Sequence, residues 1–432
     1  MSEDAKLDEF VDGEPLDNES EPAQLAVKSS RLEKYMSIIK GTKPERVIDE
    51  PREDSEPYLV VSTLTGEERK YTLDTDGPKA NPRDTLIIMD GSKSGRVYRG
   101  ESGIIGSTMA AIRPKDANSH YLRYFLESNF ERLNSATKGS AVPHTDKDLL
   151  RSLEFPVYPP SEQRKIATVL YTIDQAIKKT REIIEQLSQV KKATAQDLFT
   201  HGFEDNQTKS TYLSAIDVEI PSHWDVKSVD QISKKVTDGA HLTPDRSDSG
   251  YLLLSARNVR DGYLDLNDVD YVPESEYERL IDKCNPESGD ILMSCSGMGL
   301  GRPCVVPEGL EFALVRSAAL IKLKDDYAPE FVEQAIQLSW IQRQIQAYLS
   351  RSAQPNIFQG QIESIEIPIP PHSEQEQIAE VLSDFNNLVD TQSDYVDSLC
   401  RLKRGLIQDL LSGTVRTTDA NIEVPEEIAK YG

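Results

Sequence analysis

Two long stretches of the chain carry apolar residues at alternating steps of four and three positions. In residues 153–202 the pattern runs from Ile166 to Leu198, and residues 366–413 repeat it. This spacing is the heptad pattern of a coiled coil, sustained over about five heptads. It predicts two long α-helices, and pairing between them would keep two apolar stripes out of water. In the alternative arrangement, each helix lies on its own domain.

The two stretches are copies of one sequence. The second follows the first at an offset of 212 residues, and by our alignment about fifteen of roughly fifty positions are identical. The polar interruptions of the two seams also coincide, Thr180 with Gln392 and Lys191 with Lys403. Matched polar positions of this kind fix the register of a helix pair.

Each copy is entered through a similar motif. Residues 159–163 read Pro-Pro-Ser-Glu-Gln, and residues 371–375 read Pro-His-Ser-Glu-Gln. Ser161 and Ser373 are predicted to be the N-caps of the two helices, and Glu376 would complete a capping box in the second copy.

The blocks before the two helices differ in kind from the helices. Residues 25–152 and 221–365 hold short apolar runs separated by Gly, Pro, Asn and Asp, as is typical of β-rich domains. Each block ends in a predicted helix, at 119–134 and at 328–349, and farther upstream the two blocks diverge in sequence. The predicted fold is α+β, with two β-rich domains separated by two long helices that form an antiparallel coiled coil, in a pseudo-twofold internal repeat. Residues 203–220 are predicted to be a linker, and 414–432 a C-terminal tail.

The net charge of −24 over 432 residues is unevenly distributed. Residues 1–24 carry a charge of −8 and are predicted to be a disordered acidic tail. Residues 25–152 are mildly basic at +2, whereas residues 224–365 carry −8. The total charge therefore does not exclude nucleic-acid binding by the first block, but the second block would need a local basic patch.

Four cysteines without a Cys-x-x-Cys pair are interpreted as reduced thiols, and no metal site is predicted. No run approaches the roughly 18 apolar residues of a membrane span, and the acidic N-terminus is unlike a signal peptide. The sequence predicts a soluble protein of the cytoplasm.

Motifs of the common catalytic sites are missing from the sequence. There is no phosphate-binding loop, dinucleotide turn, nucleophile elbow or zinc-protease motif. The glycine-rich stretch 297–301 lacks the lysine of a phosphate loop and is predicted to be a tight turn. The chain is therefore expected not to be an enzyme by itself; a hydrolase with an unrecognised site is the rival interpretation.

Two divergent β-rich blocks, each followed by a repeated helix with the Glu-Gln entrance, resemble the specificity subunit of type I restriction–modification systems. The resemblance covers about residues 55–413. It includes Ile166-Ala167 and Ile378-Ala379 in the helices. In the second block it includes residues 220–224, 238–244, 289–292 and 316–318. The first block keeps only residues 84–87 and 91–95 of this pattern.

The resemblance implies a division of labour. Two target-recognition domains, 25–152 and 221–365, would each bind half of a split double-stranded DNA target, and the helices 153–202 and 366–413 would set their separation. Two methyltransferase subunits would use S-adenosylmethionine, and motor–nuclease subunits would use ATP and Mg, while this chain would hold no cofactor. The alternatives are the separate specificity chain of a fused methylase–nuclease system and a coiled-coil scaffold with no DNA role.

Candidate DNA-binding residues are basic and amide- or hydroxyl-bearing side chains in predicted loops. In the first block they are Lys93, Ser94, Arg96, Arg99, Lys138, Ser140 and His144. In the second block they are His241, Thr243, Arg257, Asn258, Ser296, Arg302, Arg351, Ser352, Gln354 and Asn356. We expect Lys93, Arg96 and Arg99 together to form a DNA-facing patch, although each candidate could equally have an ordinary surface role.

Overall fold

A computed structural model of the chain describes residues 27–135, 143–204, 207–214, 216–240, 243–297, 299–349 and 356–430. The chain divides into two compact units. Unit 1 is drawn from Met1–Lys179 and Val396–Gly432, and unit 2 is Thr180–Tyr395. The predicted acidic tail, 1–24, lies outside the described residues.

In the described residues, the first block and its long helix contain short strands, the 3₁₀ helix Leu32–Lys34 and five α-helices. The strands are β1 (Ser29–Arg31), β2 (Met36–Lys40), β3 (Val47–Ile48), β4 (Glu56–Leu59), β5 (Tyr71–Thr72), β6 (Lys79–Ala80), β7 (Thr85–Ile88), β8 (Val97–Arg99), β9 (Gly103–Ile105), β10 (Met109–Pro114) and β11 (Glu154–Pro156). The helices are α1 (Val61–Leu64), α2 (Ser119–Ser128), α3 (Phe130–Ser135), α4 (Lys147–Ser152) and α5 (Pro160–His201).

The rest of the chain follows the same plan. The strands are β12 (Thr208–Leu213), β13 (Ile216–Pro221), β14 (Asp225–Ser228), β15 (Ser233–Asp238), β16 (Tyr251–Leu254), β17 (Val259–Arg260), β18 (Tyr263–Leu264), β19 (Asp270–Val272), β20 (Ile291–Ser294), β21 (Pro303–Val305), β22 (Phe312–Leu314), β23 (Ala318–Leu323) and β24 (Glu366–Ile369). The helices are α6 (Val229–Ile232), α7 (Glu274–Ile281), α8 (Pro329–Gln337), α9 (Ser339–Leu349), α10 (Gln359–Glu363), α11 (His372–Ser412) and α12 (Glu426–Lys430).

Unit 1 is built on an antiparallel four-stranded sheet of order β2-β10-β7-β8. Both faces of this sheet are buried, which explains the unbroken apolar run at its centre. Ile87 and Met89 enter a core shared with α2 and α5, whereas Leu86 and Ile88 enter a second core. Successive strand residues point to opposite faces, so a strand covered on both sides is apolar throughout. The second core also contains residues of a five-stranded sheet, β3-β5-β4-β9-β6, in which β4 and β9 are parallel.

Unit 2 repeats this architecture. Its four-stranded sheet has the order β15-β23-β20-β21, and a neighbouring sheet pairs β16 with β22 in parallel. Ile291 and Met293 enter one core and Leu292 enters another, as in unit 1. The four-stranded sheets of the two β-rich blocks therefore share one topology even though the sequences of the blocks diverge, whereas the neighbouring sheets have five strands in unit 1 and three in unit 2.

The long helices are confirmed, with 42 residues in α5 and 41 in α11. The predicted N-caps are wrong. In α5 the carbonyl of Pro159 accepts a hydrogen bond from the N–H of Gln163 at 3.0 Å, so Ser161 already lies in the first turn. Pro371 and Ser373 are arranged in the same way. In both copies a proline carbonyl therefore takes the N-cap position, shortly after strand β11 or β24 has ended.

The predicted antiparallel pairing of the helices is confirmed within each unit. In unit 1 the start of α5 packs against the end of α11, and Lys403 Nζ lies 2.7 Å from Asp174 Oδ1. In unit 2 the end of α5 packs against the start of α11, and Lys191 Nζ donates to Asn386 Oδ1 at 2.7 Å. Lys191 and Lys403 are equivalent positions of the repeat, and so are their partners Asp174 and Asn386, each pair being 212 residues apart. The same contact between the two helices is therefore made once in each unit.

The segments predicted as linker and tail belong to the folded units. Strands β12 (Thr208–Leu213) and β13 (Ile216–Pro221) pair in antiparallel fashion, and their Leu213 and Ile220 are fully buried. In unit 1, Ile428 is fully buried, and its carbonyl accepts a hydrogen bond from Asn118 Nδ2 at 3.1 Å. Within the described part of the chain, no helix is long and apolar enough to cross a membrane.

Candidate nucleic-acid interface

The glutamine of the Glu-Gln motif fastens each β-rich block to its long helix. Gln163 Oε1 accepts from the N–H of Asn118 at 2.9 Å, and Gln163 Nε2 donates to the carbonyl of Tyr158 at 2.8 Å. Gln375 accepts in the same way from the N–H of Ala328 at 2.9 Å. Both glutamines are buried, so each satisfies backbone groups that water cannot reach. The motif glutamine is therefore structural, and it joins the start of α2 or α8 to the helix entrance.

The motif glutamate has the same position in both units but different partners. Glu162 forms a two-point ion pair with Arg416 at 2.7 and 2.8 Å. Glu374 accepts from His223 Nε2 at 2.9 Å and from Trp224 Nε1 at 3.2 Å. The motif glutamate is thus bound by a residue that follows α11 in unit 1 and by residues that follow α5 in unit 2.

Each β-rich block gathers four loop segments at one edge of its four-stranded sheet. We define the first loop cluster as residues 40–42, 89–91, 106–108 and 143–145, and the second loop cluster as residues 238–240, 295–297, 315–317 and 356–358. They meet because the central strand of each sheet begins where its two antiparallel neighbours end. Loops at a rigid sheet edge are common positions for binding residues.

Equivalent backbone hydrogen bonds hold the two clusters. In the first they are Met89 N to Thr108 O at 2.8 Å, Thr145 N to Met89 O at 2.7 Å and Thr42 N to Ile105 O at 3.0 Å. In the second they are Cys295 N to Ser317 O at 2.7 Å, Ile357 N to Cys295 O at 3.0 Å and Ala240 N to Leu314 O at 2.9 Å. Isolated bridges also join Asp90 to His144 and Ser296 to Asn356. The two clusters therefore share one backbone frame.

A glycine at the same point of each frame permits this close approach. A Cβ on Gly41 would lie 2.0 Å from the carbonyl oxygen of Gly106, and one on Gly239 would lie 2.3 Å from that of Leu314. Only glycine fits at such distances. This contact explains the Asp238-Gly239 pair that the sequence shares with the restriction-subunit pattern.

Unpaired basic side chains surround the first loop cluster. Lys40, Lys43, Lys93 and Arg96 are exposed, and none of the four has an ion-pair partner among the described residues. Positive charge that is free of internal partners is available to phosphate groups. We call these four residues the basic rim.

Arg99 does not belong to the basic rim. It lies on β8, and its guanidinium is paired with Glu427 of α12. Burial, with the nearby charges of Arg123 and Arg99, lowers the pKa of His120 to about 4. Arg99 is thus part of the packing beneath α12, and the expected patch of Lys93, Arg96 and Arg99 is not brought together.

The second loop cluster borders an open cavity of about 450 Å³. Its polar lining includes Asp238, Ser296, Arg316 and Asn356. Two of these, Ser296 and Asn356, were predicted from the sequence, and the structure brings them together.

Other predicted residues of the second block lie elsewhere or are internally paired. Arg302 faces a different cavity, of about 420 Å³, and lies 3.5 Å from Asp261. Arg257 pairs with Asp270 at 3.0 Å. Thr243 is exposed.

Two predicted contact residues are buried, which contradicts a direct role in DNA binding. Ser94 is 0% exposed and Asn258 is 1% exposed. Asn258 Oδ1 accepts from the N–H of Ser255 at 3.0 Å, and its Nδ2 donates to the carbonyl of Asp268 at 2.9 Å. The Asn258 amide therefore stabilises the loop in which it lies. The remaining predicted residues lie outside the described part of the chain and are Lys138, Ser140, His241, Arg351, Ser352 and Gln354.

The sequence interpretation missed Lys40, Lys43 and Arg316. Each lies at or just beyond the end of a strand, away from a run of like charges. Aligning strand ends between the two blocks would have found Arg316, because it follows β22 in the way Ser107 follows β9. Within the described ranges, no group of three or more potential ligand side chains is arranged to hold a metal ion.

Comparison with known proteins agrees with this architecture. The family described as "Type I restriction modification DNA specificity domain" matches residues 27–189 and 221–394, one match in each half of the chain. The chain is 28% identical over 409 residues to the type I restriction enzyme MjaVIII specificity subunit of Methanocaldococcus jannaschii, covering 90% of this chain and 93% of that protein. It is 21% identical to the EcoBI specificity subunit of Escherichia coli, over 84% of this chain and 80% of that protein.

A solved structure has the same fold. The S subunit of a type I restriction–modification system from M. genitalium superposes with a TM-score of 0.55 at 16% identity, covering 89% of this chain and 96% of that one. The two family matches together cover more than half of the chain. The chain therefore belongs to the family of type I restriction modification DNA specificity domains.

Proposed function

We propose that the chain is the specificity subunit of a type I restriction–modification complex and that it binds a split DNA target. Each β-rich domain would bind one half of the target through its loop cluster. The observation that carries this proposal is one backbone frame built twice with different side chains. A protein that binds two different half-sites needs such an arrangement, because the DNA backbone is the same at both and the bases are not.

The basic rim is the proposed phosphate-binding surface of the first domain. Its four positive charges have no ion-pair partner among the described residues, so binding DNA would not require breaking an internal ion pair. Each phosphate neutralised on duplex DNA adds about −0.9 to the slope of log affinity against log salt. Replacing Lys93 and Arg96 by Gln should therefore reduce the slope by about 2.

The long helices carry repeated apolar positions that remain exposed. Ile183 and Val190 on α5 are 44% and 51% exposed, and Tyr395 and Leu402 on α11 are both 52% exposed. Each residue of α11 follows its counterpart on α5 by 212 positions. Two equivalent apolar surfaces on one chain suit two copies of one partner. We infer that these copies are methyltransferase subunits.

The remaining assignments are part of the same proposal. The chain would perform no catalysis; S-adenosylmethionine would be bound by the methyltransferase subunits, and ATP with Mg by motor–nuclease subunits. A cytoplasmic location, where the target DNA lies, stays a prediction from the sequence.

Co-expression with the methyltransferase subunit of the same system tests the proposal. Methylated adenines would be mapped across the host genome with and without this chain. We expect a split, asymmetric target sequence that disappears when the chain is deleted. Methylation that persists unchanged without the chain would overturn the proposal.

Co-purification tests the docking surface separately. Val190→Asp places a charge in the exposed apolar surface and should reduce recovery of the methyltransferase subunit. Gln189→Asp, the exposed neighbour, is the matched control and should not. Equal recovery with both variants would show that the subunits dock elsewhere.

A further inference from the structure

The two loop clusters present different side chains at four equivalent points of their common frame. The pairs, first domain then second, are Lys40 and Asp238, Asp90 and Ser296, Ser107 and Arg316, and His144 and Asn356. The differences change charge, size and hydrogen-bonding capacity, while the backbone bonds around them stay the same. Residues that only supported the fold would have no reason to differ so strongly at positions where the backbone is held so similarly.

Arg316 is the most informative of these side chains. Its backbone N–H donates to the carbonyl of Ala240 at 3.1 Å, which fixes the point from which the side chain extends. The side chain is exposed on the border of the 450 Å³ cavity and has no ion-pair partner among the described residues. The first domain has Ser107 at this point. An arginine whose backbone is fixed and whose guanidinium has no ion-pair partner is suited to form two parallel hydrogen bonds with a planar acceptor.

Asn356 lies on the same cavity, beside Ser296. Its amide offers one acceptor and a donor group, and no hydrogen bond occupies them among the described residues. Arginine pairs with the O6 and N7 atoms of guanine, and asparagine pairs with the N6 and N7 atoms of adenine. The two side chains therefore carry distinct base preferences on one surface.

We propose that Arg316 and Asn356 determine which bases the second domain recognises, Arg316 by contacting a guanine and Asn356 by contacting an adenine. This inference rests on the proposed function, and it assigns specificity to residues outside any cluster of basic sequence. At the counterpart positions the first domain has Ser107 and His144, and His144 Nδ1 is bound to the carboxylate of Asp90, so the first domain would present a different set of contacts through the same frame.

Methylation mapping with single substitutions tests the assignment in the intact complex. Arg316→Ser should relax the target at one guanine of one half-site, with a loss of about ten- to a hundred-fold in discrimination at that base pair, and leave the other half-site unchanged. Arg316→Lys should relax the same position, because lysine keeps the charge but lacks the planar fork. Asn356→Ala should relax one adenine of the same half-site.

Arg246→Ser is the matched control, since Arg246 is an exposed arginine of the same domain that is already paired with Asp270 at 3.4 Å. It should leave the target sequence unchanged. If Arg316→Ser abolishes methylation, binding of the purified complex to duplexes varied at each target position replaces the genomic readout. Equal weakening on all duplexes would overturn the inference and assign Arg316 to a phosphate contact. An unchanged target sequence would overturn it as well. Failure of the proposed function is distinct, because the unsubstituted chain would then direct no methylation.

Discussion

The two lysines at matching positions of the repeated helices should differ strongly in how much the same substitution destabilises the protein. Lys403 pairs with Asp174 at 2.7 Å and also with Glu127. Lys191 donates instead to a neutral amide, that of Asn386, at 2.7 Å. Replacing each lysine by Met keeps the length and apolar stem of the side chain and removes the charge. Lys403→Met should be strongly destabilising, and Lys191→Met nearly neutral.

The pKa shifts around each lysine explain the difference. Burial raises the pKa of Asp174, but Lys403 and Arg123 outweigh it, so that the pKa is lowered overall. The folded state thus depends on these cations. Burial lowers the pKa of Lys191, and the opposing attraction of Glu333 and Asp261 does not restore it. The charge of Lys191 is therefore itself a cost to the folded state.

The magnitudes follow from the contacts that are lost. The side chain of Lys403 is only 13% exposed and pairs with two carboxylates, so Lys403→Met removes one partner from each. Arg123 still contacts both, Asp174 at 3.1 Å and Glu127 at 3.7 Å. Hydrogen bonds to charged groups are worth about 1.5–3 kcal/mol each, and breaking a buried pair costs about 3–5 kcal/mol. With Arg123 retained, a loss of about 3 kcal/mol is expected. Lys191→Met loses one such bond but recovers desolvation, so the loss should stay below about 1 kcal/mol.

Chemical unfolding of the full-length chain, followed by circular dichroism and tryptophan fluorescence, measures both variants under one set of conditions. Both tryptophans lie in unit 2, so fluorescence reports that unit while circular dichroism reports both. Similar losses for the two variants would refute the reasoning, because burial of the seam alone would then decide stability. A larger loss of stability for Lys191→Met than for Lys403→Met would show that the charge of Lys191, and not that of Lys403, stabilises the fold.

Three further substitutions should give measurable changes in unfolding. Burial raises the pKa of Glu333 from 4.5 to about 7, so the folded state retains a proton that the unfolded state releases, and the free energy of unfolding should fall as pH rises from about 4.5 through 7. Glu333→Gln should flatten this pH dependence, and a variant with an unchanged pH profile would contradict the assignment. Gly239→Ala places a Cβ 2.3 Å from a carbonyl oxygen and should cost about 1–3 kcal/mol, whereas Gly360→Ala, with open space around it, should cost nothing; equal effects would argue against a close approach. Gln375→Leu leaves a buried N–H and a buried carbonyl without their partner and should cost about 2–4 kcal/mol, against no change for the exposed Gln359→Leu. A stable Gln375→Leu variant would show that water replaces the amide.

The sequence predicted the helical half of the fold well because that half depends on local spacing. Ile166, Leu170 and Leu382 are buried as the heptad pattern requires. The shared topology of the β-rich blocks was not predicted. Strand pairing joins residues far apart in the sequence, and the offset between equivalent residues shifts from 198 at Gly41 and Gly239 to 212 in the helices. An alignment at one fixed offset cannot follow such a shift.

The candidate site was predicted less well, for a different physical reason. Loop composition placed Ser296 and Asn356 among the candidates, but it could not separate side chains that face solvent from those that stabilise their own loop. Asn258 and Ser94 look like good DNA contacts in sequence and are buried in the structure. Arg316 lies in the stretch 316–318 that fits the specificity-subunit pattern, but only the frame of backbone hydrogen bonds places it on the cavity.

Unit 1 is formed by two segments that lie far apart in the sequence, and this affects the order in which the protein can fold during synthesis. Its first part ends at Lys179, and its second part begins only at Val396. Tyr158 donates to the carbonyl of Leu410 at 2.9 Å, and residues of both segments complete one core. Unit 2 is continuous, and all of its residues leave the ribosome before the contacts that complete unit 1 can form. During synthesis the first domain to emerge is thus the last to be completed, and its apolar surface stays open to chaperones, or to aggregation, for the whole of that interval.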